Sequence, residues 1–252
     1  MSKELMLKVV NVSKSFGGVR AVSNVSFNLF KGEILGIIGP NGSGKTTLIN
    51  VITGFVKPSL GKVYYKGREI TGWPPHKIAS LGVVRTFQMV RPFLSLPAYK
   101  NLIIPLYSPR AKKMAAAGKF GDRDAVSMDL MEDVGFERDS SVPYKPAAAL
   151  PHGYLKRLEL ARCLALKPEL LITDELFSGL SMAEVASIIP TLEKLQMSGI
   201  TLIMVEHRLR ELFRLADRVI VLEYGEKIAE GSPEEVVSNE RVKQAYLGVE
   251  VG

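Results

Sequence analysis

Gly39-Pro40-Asn41-Gly42-Ser43-Gly44-Lys45-Thr46 decides how this chain is read. It fits the pattern G-x-x-x-x-G-K-S/T and lies between a continuous apolar run, Glu33 to Ile38, and a helical opening, Thr46-Thr47-Leu48-Ile49. Glycines let successive backbone N–H groups converge on phosphate oxygens, and a helix N-terminus adds its dipole. In such a loop Lys45 reaches the β- and γ-phosphates and Thr46 ligates Mg2+. The expected nucleotide-binding residues are Gly39, Pro40, Asn41, Gly42, Ser43, Gly44, Lys45, Thr46 and Thr47. Outward from the loop, the apolar run bounded by glycines is expected of a strand buried on both faces. Leu170 to Thr173, Thr201 to Val205 and Arg218 to Leu222 repeat that style, with helix-length segments between them, which is the alternation of a parallel sheet with crossover helices. Nearer the N-terminus, Leu7 to Val12, Val22 to Leu29 and Lys62 to Tyr65 read as short strands, and the second alternates apolar and polar residues as a half-buried antiparallel strand does. From about residue 95 to about residue 165 such strands are missing, and the composition predicts a mainly helical lobe inserted in the α/β core, with Pro109 to Asp124 as an exposed connection.

The 252 residues suffice for one sizeable core with an inserted lobe. With 46% hydrophobic and 23% charged residues the composition is globular, neither disordered nor fibrous. A lone Cys163 excludes an internal disulfide and a zinc site built from several thiolates. Apolar runs are far shorter than the roughly 20 residues that cross a bilayer. The start, Met-Ser-Lys-Glu-Leu-Met-Leu-Lys, carries charges before any apolar leader, so the expectation is a cytoplasmic protein. A formal charge of +7 leaves nucleic acid, anionic lipid, an acidic ligand or a solvated surface open.

A phosphate loop alone does not choose among kinases, GTPases and transport ATPases. Leu170-Leu171-Ile172-Thr173-Asp174-Glu175 narrows the choice, because it is a buried strand ending in two acids. Asp174 can hold the Mg2+ hydration shell, and Glu175 suits a base or water-orienting role at the γ-phosphate.

With these motifs in this order, the chain resembles the ATP-binding cassette (ABC) family over almost its whole length. The resemblance implies a P-loop NTPase (RecA-like) α/β core with an N-terminal antiparallel β subdomain and an inserted helical subdomain, residues 1–252 forming one nucleotide-binding domain. Phe16, in Lys14-Ser15-Phe16-Gly17-Gly18, is similar to the aromatic that stacks on adenine; without the family it reads as a core residue. Gln88, in Arg85-Thr86-Phe87-Gln88, is similar to the glutamine that touches Mg2+ and the attacking water. His207, in Val205-Glu206-His207, is similar to the histidine that contacts the γ-phosphate. The stretch Thr71 to Gln88 and the ending Glu230 to Gly248 resemble the ATPase subunits of branched-chain amino-acid importers; the ending is also similar to cassettes with other cargo, including lipopolysaccharide export. The implied cofactors are ATP and Mg2+. The implied partners are a second ABC ATPase subunit, two transmembrane permease subunits and, indirectly, a solute-binding protein, with no nucleic acid. The implied location is peripheral, on the cytoplasmic face of the inner or plasma membrane.

The sequence departs from the family at its signature, usually Leu-Ser-Gly-Gly-Gln. Here that place holds Leu150-Pro151-His152-Gly153-Tyr154. Proline removes a hydroxyl and a backbone N–H that donate to the γ-phosphate. Each such bond to a charged group is worth about 1.5–3 kcal/mol, so closure on ATP weakens by about ten- to a hundredfold. Leu176 replaces the proline usual after the catalytic acid, and the D-loop, Ser178-Gly179-Leu180-Ser181, ends in serine where aspartate or asparagine is usual. In the family, signature and D-loop reach across to the partner's nucleotide. Lys45, Thr46, Gln88, Asp174, Glu175 and His207 act on the chain's own nucleotide and are intact, so the expectation is a heterodimer with asymmetric sites. Residues 89 to 107 are the expected grip on the membrane partner. A soluble remodelling protein needs a long coiled coil or a second cassette, and neither is seen; a nucleotide sensor with weak hydrolysis is supported only by the altered signature.

Overall fold

The computed structural model describes residues 3–87, 91–115 and 122–247. Strands β1 (Leu5–Phe16) and β2 (Val19–Phe30) form a hairpin turned by Gly17 and Gly18, both at positive φ. There follow β3 (Ile34–Ile38), α1 (Lys45–Ile52), β4 (Leu60–Tyr65), β5 (Arg68–Glu69), α2 (Pro75–Leu81) and β6 (Val83–Arg85). The chain is then helical: α3 (Ile103–Leu106), α4 (Pro109–Ala115), α5 (Arg123–Asp133) and α6 (His152–Ala165). It returns to the sheet with β7 (Leu170–Asp174), α7 (Met182–Met197), β8 (Thr201–Val205), α8 (Leu209–Leu215), β9 (Arg218–Glu223) and β10 (Glu226–Gly231), and closes with α9 (Pro233–Ser238) and α10 (Glu240–Leu247).

Two sheets result. The smaller has the order β2-β1-β4-β5 and is antiparallel; the larger has the order β10-β9-β3-β8-β7-β6, parallel except for β10 at its edge. Why β3 carries no polar side chain, and β7 none before Thr173, follows from their two faces. Leu35 and Ile37 point into a core shared with the antiparallel sheet and α1, whereas Ile34 and Ile38 point into a second core under α6 and α7. Leu170 and Ile172 against Leu171 divide in the same way. A strand covered on both sides needs no polar face.

The sequence expectation differs from the structure at Pro109 to Asp124. Pro109–Ala115 is helix α4, and Arg123 and Asp124 already belong to α5. The backbone N–H of Ala111 donates to Ser108 Oγ at 3.2 Å, and proline is tolerated in a first turn, where its missing N–H has no helical partner. The Arg110 guanidinium secures the turn through the carbonyls of Lys167 and Leu81 and the Glu169 carboxylate. Among the described residues no helix is long and apolar enough to cross a membrane.

The five parallel strands place one consequence above the rest. Because β3, β7, β8, β6 and β9 run the same way, the residues following β3, β6, β7 and β8 gather along one edge of the sheet, where ligands of open α/β sheets bind.

Candidate active site

At the end of β3 the loop turns on two glycines, Gly39 and Gly44, that have no space for a side chain. A Cβ on Gly39 would stand 2.1 Å from the Leu222 carbonyl oxygen, and one on Gly44 would stand 2.3 Å from that of Ala21. Both residues have positive φ. Strand β9 and the tip of the β1–β2 hairpin thus press on the loop from outside. The Gly225 N–H adds a bond to the Ser43 carbonyl at 3.1 Å. Lys45, first residue of α1, is buried and donates through Nζ to the carbonyls of Gly39 at 2.7 Å and Pro40 at 2.8 Å. Burial draws its pKa down, while the charges of Glu175 and Asp174 act in the opposite direction.

Asp174 ends β7 fully buried. Its Oδ2 accepts from Arg85 Nη2 at 2.8 Å, and its N–H donates to Thr86 Oγ1 at 3.1 Å. Burial pushes the Asp174 carboxyl pKa up and the Arg85 charge opposes it. The Arg85 guanidinium lies 5.5 Å from the Phe55 ring centre and 4.9 Å from that of Phe87. Oδ1 of Asp174 is buried with no hydrogen-bond partner, an orphan that calls for an ion or water. Thr46 and Asp174 line one cavity of about 520 Å³. No group of three His, Cys, Asp or Glu gathers among the described residues. The donor set fits Mg2+, which keeps several waters and takes one or two protein oxygens plus substrate phosphates. Thr46 and Asp174 would hold it.

Glu175 sits at φ +52°, a left-handed conformation uncommon outside glycine. Its N–H donates to the Val205 carbonyl at 2.9 Å, and its Oε1 lies 3.2 Å from His207 Nε2, which follows β8. The two sequence-predicted residues therefore meet. Gln88 lies outside the described residues. Phe16, the last residue of β1, is half exposed, so it is not a core side chain, and Lys14 Nζ stands 4.9 Å from its ring centre. Thr47 is half-buried within α1.

Pro151 is the N-cap residue of α6 and provides no side-chain acceptor. His152 is exposed and Gly153 buried; Tyr154 turns onto Phe136, ring centres 5.1 Å apart. Leu150 is buried. The His152 ring lies against Gly179, so close that a Cβ there would meet its Cε1 at 3.0 Å. Signature stretch and D-loop share a surface. Ser178 and Gly179 are exposed, Leu180 is buried, and Ser181 is the N-cap of α7 in a complete capping box with Glu184.

This arrangement places the glycine-rich loop, a buried carboxylate and a carboxylate–imidazole pair along one sheet edge. Residues 22–178 match the ABC transporter family. The chain belongs to that family. Residues 226–252 match a second profile, the branched-chain amino acid ATP-binding cassette transporter. A probable branched-chain amino acid transport ATP-binding protein LivG of Archaeoglobus fulgidus is 34% identical, with 97% of this chain and 96% of that one covered. The high-affinity LivG of Salmonella typhimurium is 36% identical over 96% and 98%. A crystal structure of a nucleotide-free ATP-binding cassette from an ABC transporter superposes with a TM-score of 0.83 at 32% identity, covering 96% of this chain and 98% of that one. A dimeric, post-hydrolysis cassette bound to ADP and Pi superposes with a TM-score of 0.79 at 26% identity over 90% and 99%. The cassette is an ABC ATPase.

Three charged residues of this ABC cassette escape motif reading: Arg85, Lys156 and Glu206, all buried. Charged side chains are taken for surface by type, and only their position helps: Arg85 ends a strand, and Glu206 adjoins His207.

Proposed function

We propose that this chain is the ATP-hydrolysing subunit of an importer of branched-chain amino acids, one of two cassettes beneath two membrane permeases fed by a solute-binding protein. The match of residues 226–252 to the branched-chain amino acid cassette profile carries this reading, because the tail lies outside the general ABC transporter match. Residues 1–252 act as one nucleotide-binding domain, its helical insert running from about 95 to 165.

In this mechanism Phe16 stacks on adenine, and the N–H groups from Asn41 to Thr47 with Lys45 Nζ bind the phosphates, while Pro40, which has no N–H, shapes the loop. Thr46 and Asp174, with Gln88, would hold Mg2+, which would supply charge neutralisation at the phosphates. Glu175 orients the attacking water and takes its proton. His207, 3.2 Å from Glu175 Oε1, fixes that carboxylate and faces the γ-phosphate. ATP binding closes the pair of cassettes and hydrolysis reopens it, moving the permeases through differential affinity for the two states.

The permease grip is assigned to residues 89 to 107, of which 89 and 90 lie outside the described residues. Ile104 and Tyr107 are exposed beside a cavity of about 470 Å³, into whose lining Glu159 and Arg162 each bring a buried polar atom without a partner. Leu102, within the same stretch, packs in the core of the lobe. The altered signature supports an asymmetric heterodimer: Pro151 offers α6 no side-chain cap, and Tyr154 is packed on Phe136. ATP turnover of the purified chain should stay slow until its partner cassette is added; brisk turnover alone contradicts the asymmetry. The import reading is tested by uptake of labelled leucine in cells lacking this chain. Complementation by wild type but not by Glu175→Gln is expected, and unchanged uptake in the deletion strain overturns the amino-acid cargo.

A further inference from the structure

Among the described residues one of the largest fully buried side chains is a lysine. Lys156 stands one turn into α6 and donates from Nζ to the carbonyl of Glu175 at 3.1 Å. A second buried charge-bearing group, Glu206, accepts the N–H of Phe177 at 3.1 Å through Oε1 and also accepts the N–H of Leu176. The Lys156 charge acts on Glu206. Burying an ammonium and a carboxyl is costly, and neither side chain takes part in the mechanism above.

What they hold is Glu175, whose left-handed backbone costs an L-residue energy and persists only where its surroundings over-determine it. The grip is complete around that residue. Its N–H is fixed by the Val205 carbonyl at 2.9 Å, its carbonyl by Lys156 and by the Ser178 N–H at 3.2 Å, and the next two N–H groups by Glu206. A proline at position 176 has no N–H to give, so Leu176 is matched to the Glu206 acceptor.

We propose that Lys156 and Glu206 are positioning residues for ATP hydrolysis: they clamp the peptide groups flanking Glu175 so that its carboxylate meets His207. The inference rests on the reading of Glu175 as the group that orients the water.

The test measures kcat, KM and fluorescent Mg-ATP analogue binding for the full chain, alone and with its partner subunits. Lys156→Met and Glu206→Leu should lower kcat by about ten- to a hundredfold with KM changed less than about twofold, because displacement of a reacting group costs rate and not affinity. Lys156→Arg, which keeps a donor, should recover most of the loss. If single variants fail to fold, Lys156→Met/Glu206→Gln leaves no lone buried charge; it should fold and still turn over slowly, and wild-type kcat in that protein overturns the proposal. In a Glu175→Gln background the same changes should add no further loss, because they act through Glu175. An additive loss assigns the pair to general stability and overturns the proposal. Slow Glu175→Gln beside wild-type rates in the Lys156 and Glu206 variants removes the clamp alone, whereas wild-type turnover in Glu175→Gln removes the Glu175 reading and the clamp with it.

Discussion

Pro151 heads α6 with φ −56° and ψ 155°, an N-cap conformation that serine adopts equally well. Pro151→Ser restores a hydroxyl acceptor worth about 1 kcal/mol to the helix. It also loosens the unfolded chain, an opposing effect of about 0.4–1 kcal/mol. The net change in a denaturant titration is therefore expected to be small. The functional change is not: a regained hydroxyl and N–H should tighten ATP-dependent association with a partner cassette by about tenfold, measured by sedimentation or light scattering with a hydrolysis-deficient partner. Glu206 supplies a second test. Burial raises its pKa from 4.5 to about 8, against its bonds to Phe177 and Leu176 and the Lys156 charge. Below pH 4.5 folded and unfolded chains both carry the proton; between there and about 8 the unfolded chain has released it while the folded chain keeps it. Folding stability from this group therefore falls as pH rises through that window. Urea titrations at pH 5 and pH 8 should show a larger loss for wild type than for Glu206→Gln; equal losses contradict the assignment.

At the scale of elements, capping gives the D-loop serine a structural role. Ser181 replaces an acidic or amide residue in the D-loop, yet its hydroxyl accepts the Glu184 N–H at 3.2 Å and its own N–H donates to the Glu184 carboxylate at 2.8 Å. Serine and aspartate are both favoured N-caps. Ser181→Ala should cost about 1 kcal/mol in thermal or denaturant unfolding, and Ser181→Asp should lose part of the cap as well, because its carboxylate cannot replace the hydroxyl's donation to Glu184 Oε2 at 2.8 Å. Elements were legible where burial imposed a pattern. β3, β8 and the first three residues of β7 are apolar at nearly every position because both faces are covered, and Gly39 and Gly44 are readable because no side chain fits. β6 has three residues, too few for a period, and ends in Arg85, whose buried pairing with Asp174 joins residues 89 positions apart. Lys156 was invisible for the same reason: nothing local in α6 shows that its ammonium reaches the Glu175 carbonyl.

For the whole molecule, the fold converts sequence order into one reactive edge. Parallel strands bring Lys45, Asp174, Glu175 and His207 together, while α6 and α7 carry signature and D-loop to a shared surface where His152 lies against Gly179. The +7 charge, suggestive of nucleic acid at first, suits a polyanionic nucleotide beside an anionic bilayer. Hydrolysis by the Glu175–His207 pair is the claim on which coupling, asymmetry and the Lys156–Glu206 clamp all depend. Its most direct measurement is phosphate release from Mg-ATP by wild type and Glu175→Gln at matched nucleotide occupancy. The variant should bind Mg-ATP at least as tightly and release phosphate about a hundredfold or more slowly. Equal release by the two proteins would remove Glu175 from the mechanism.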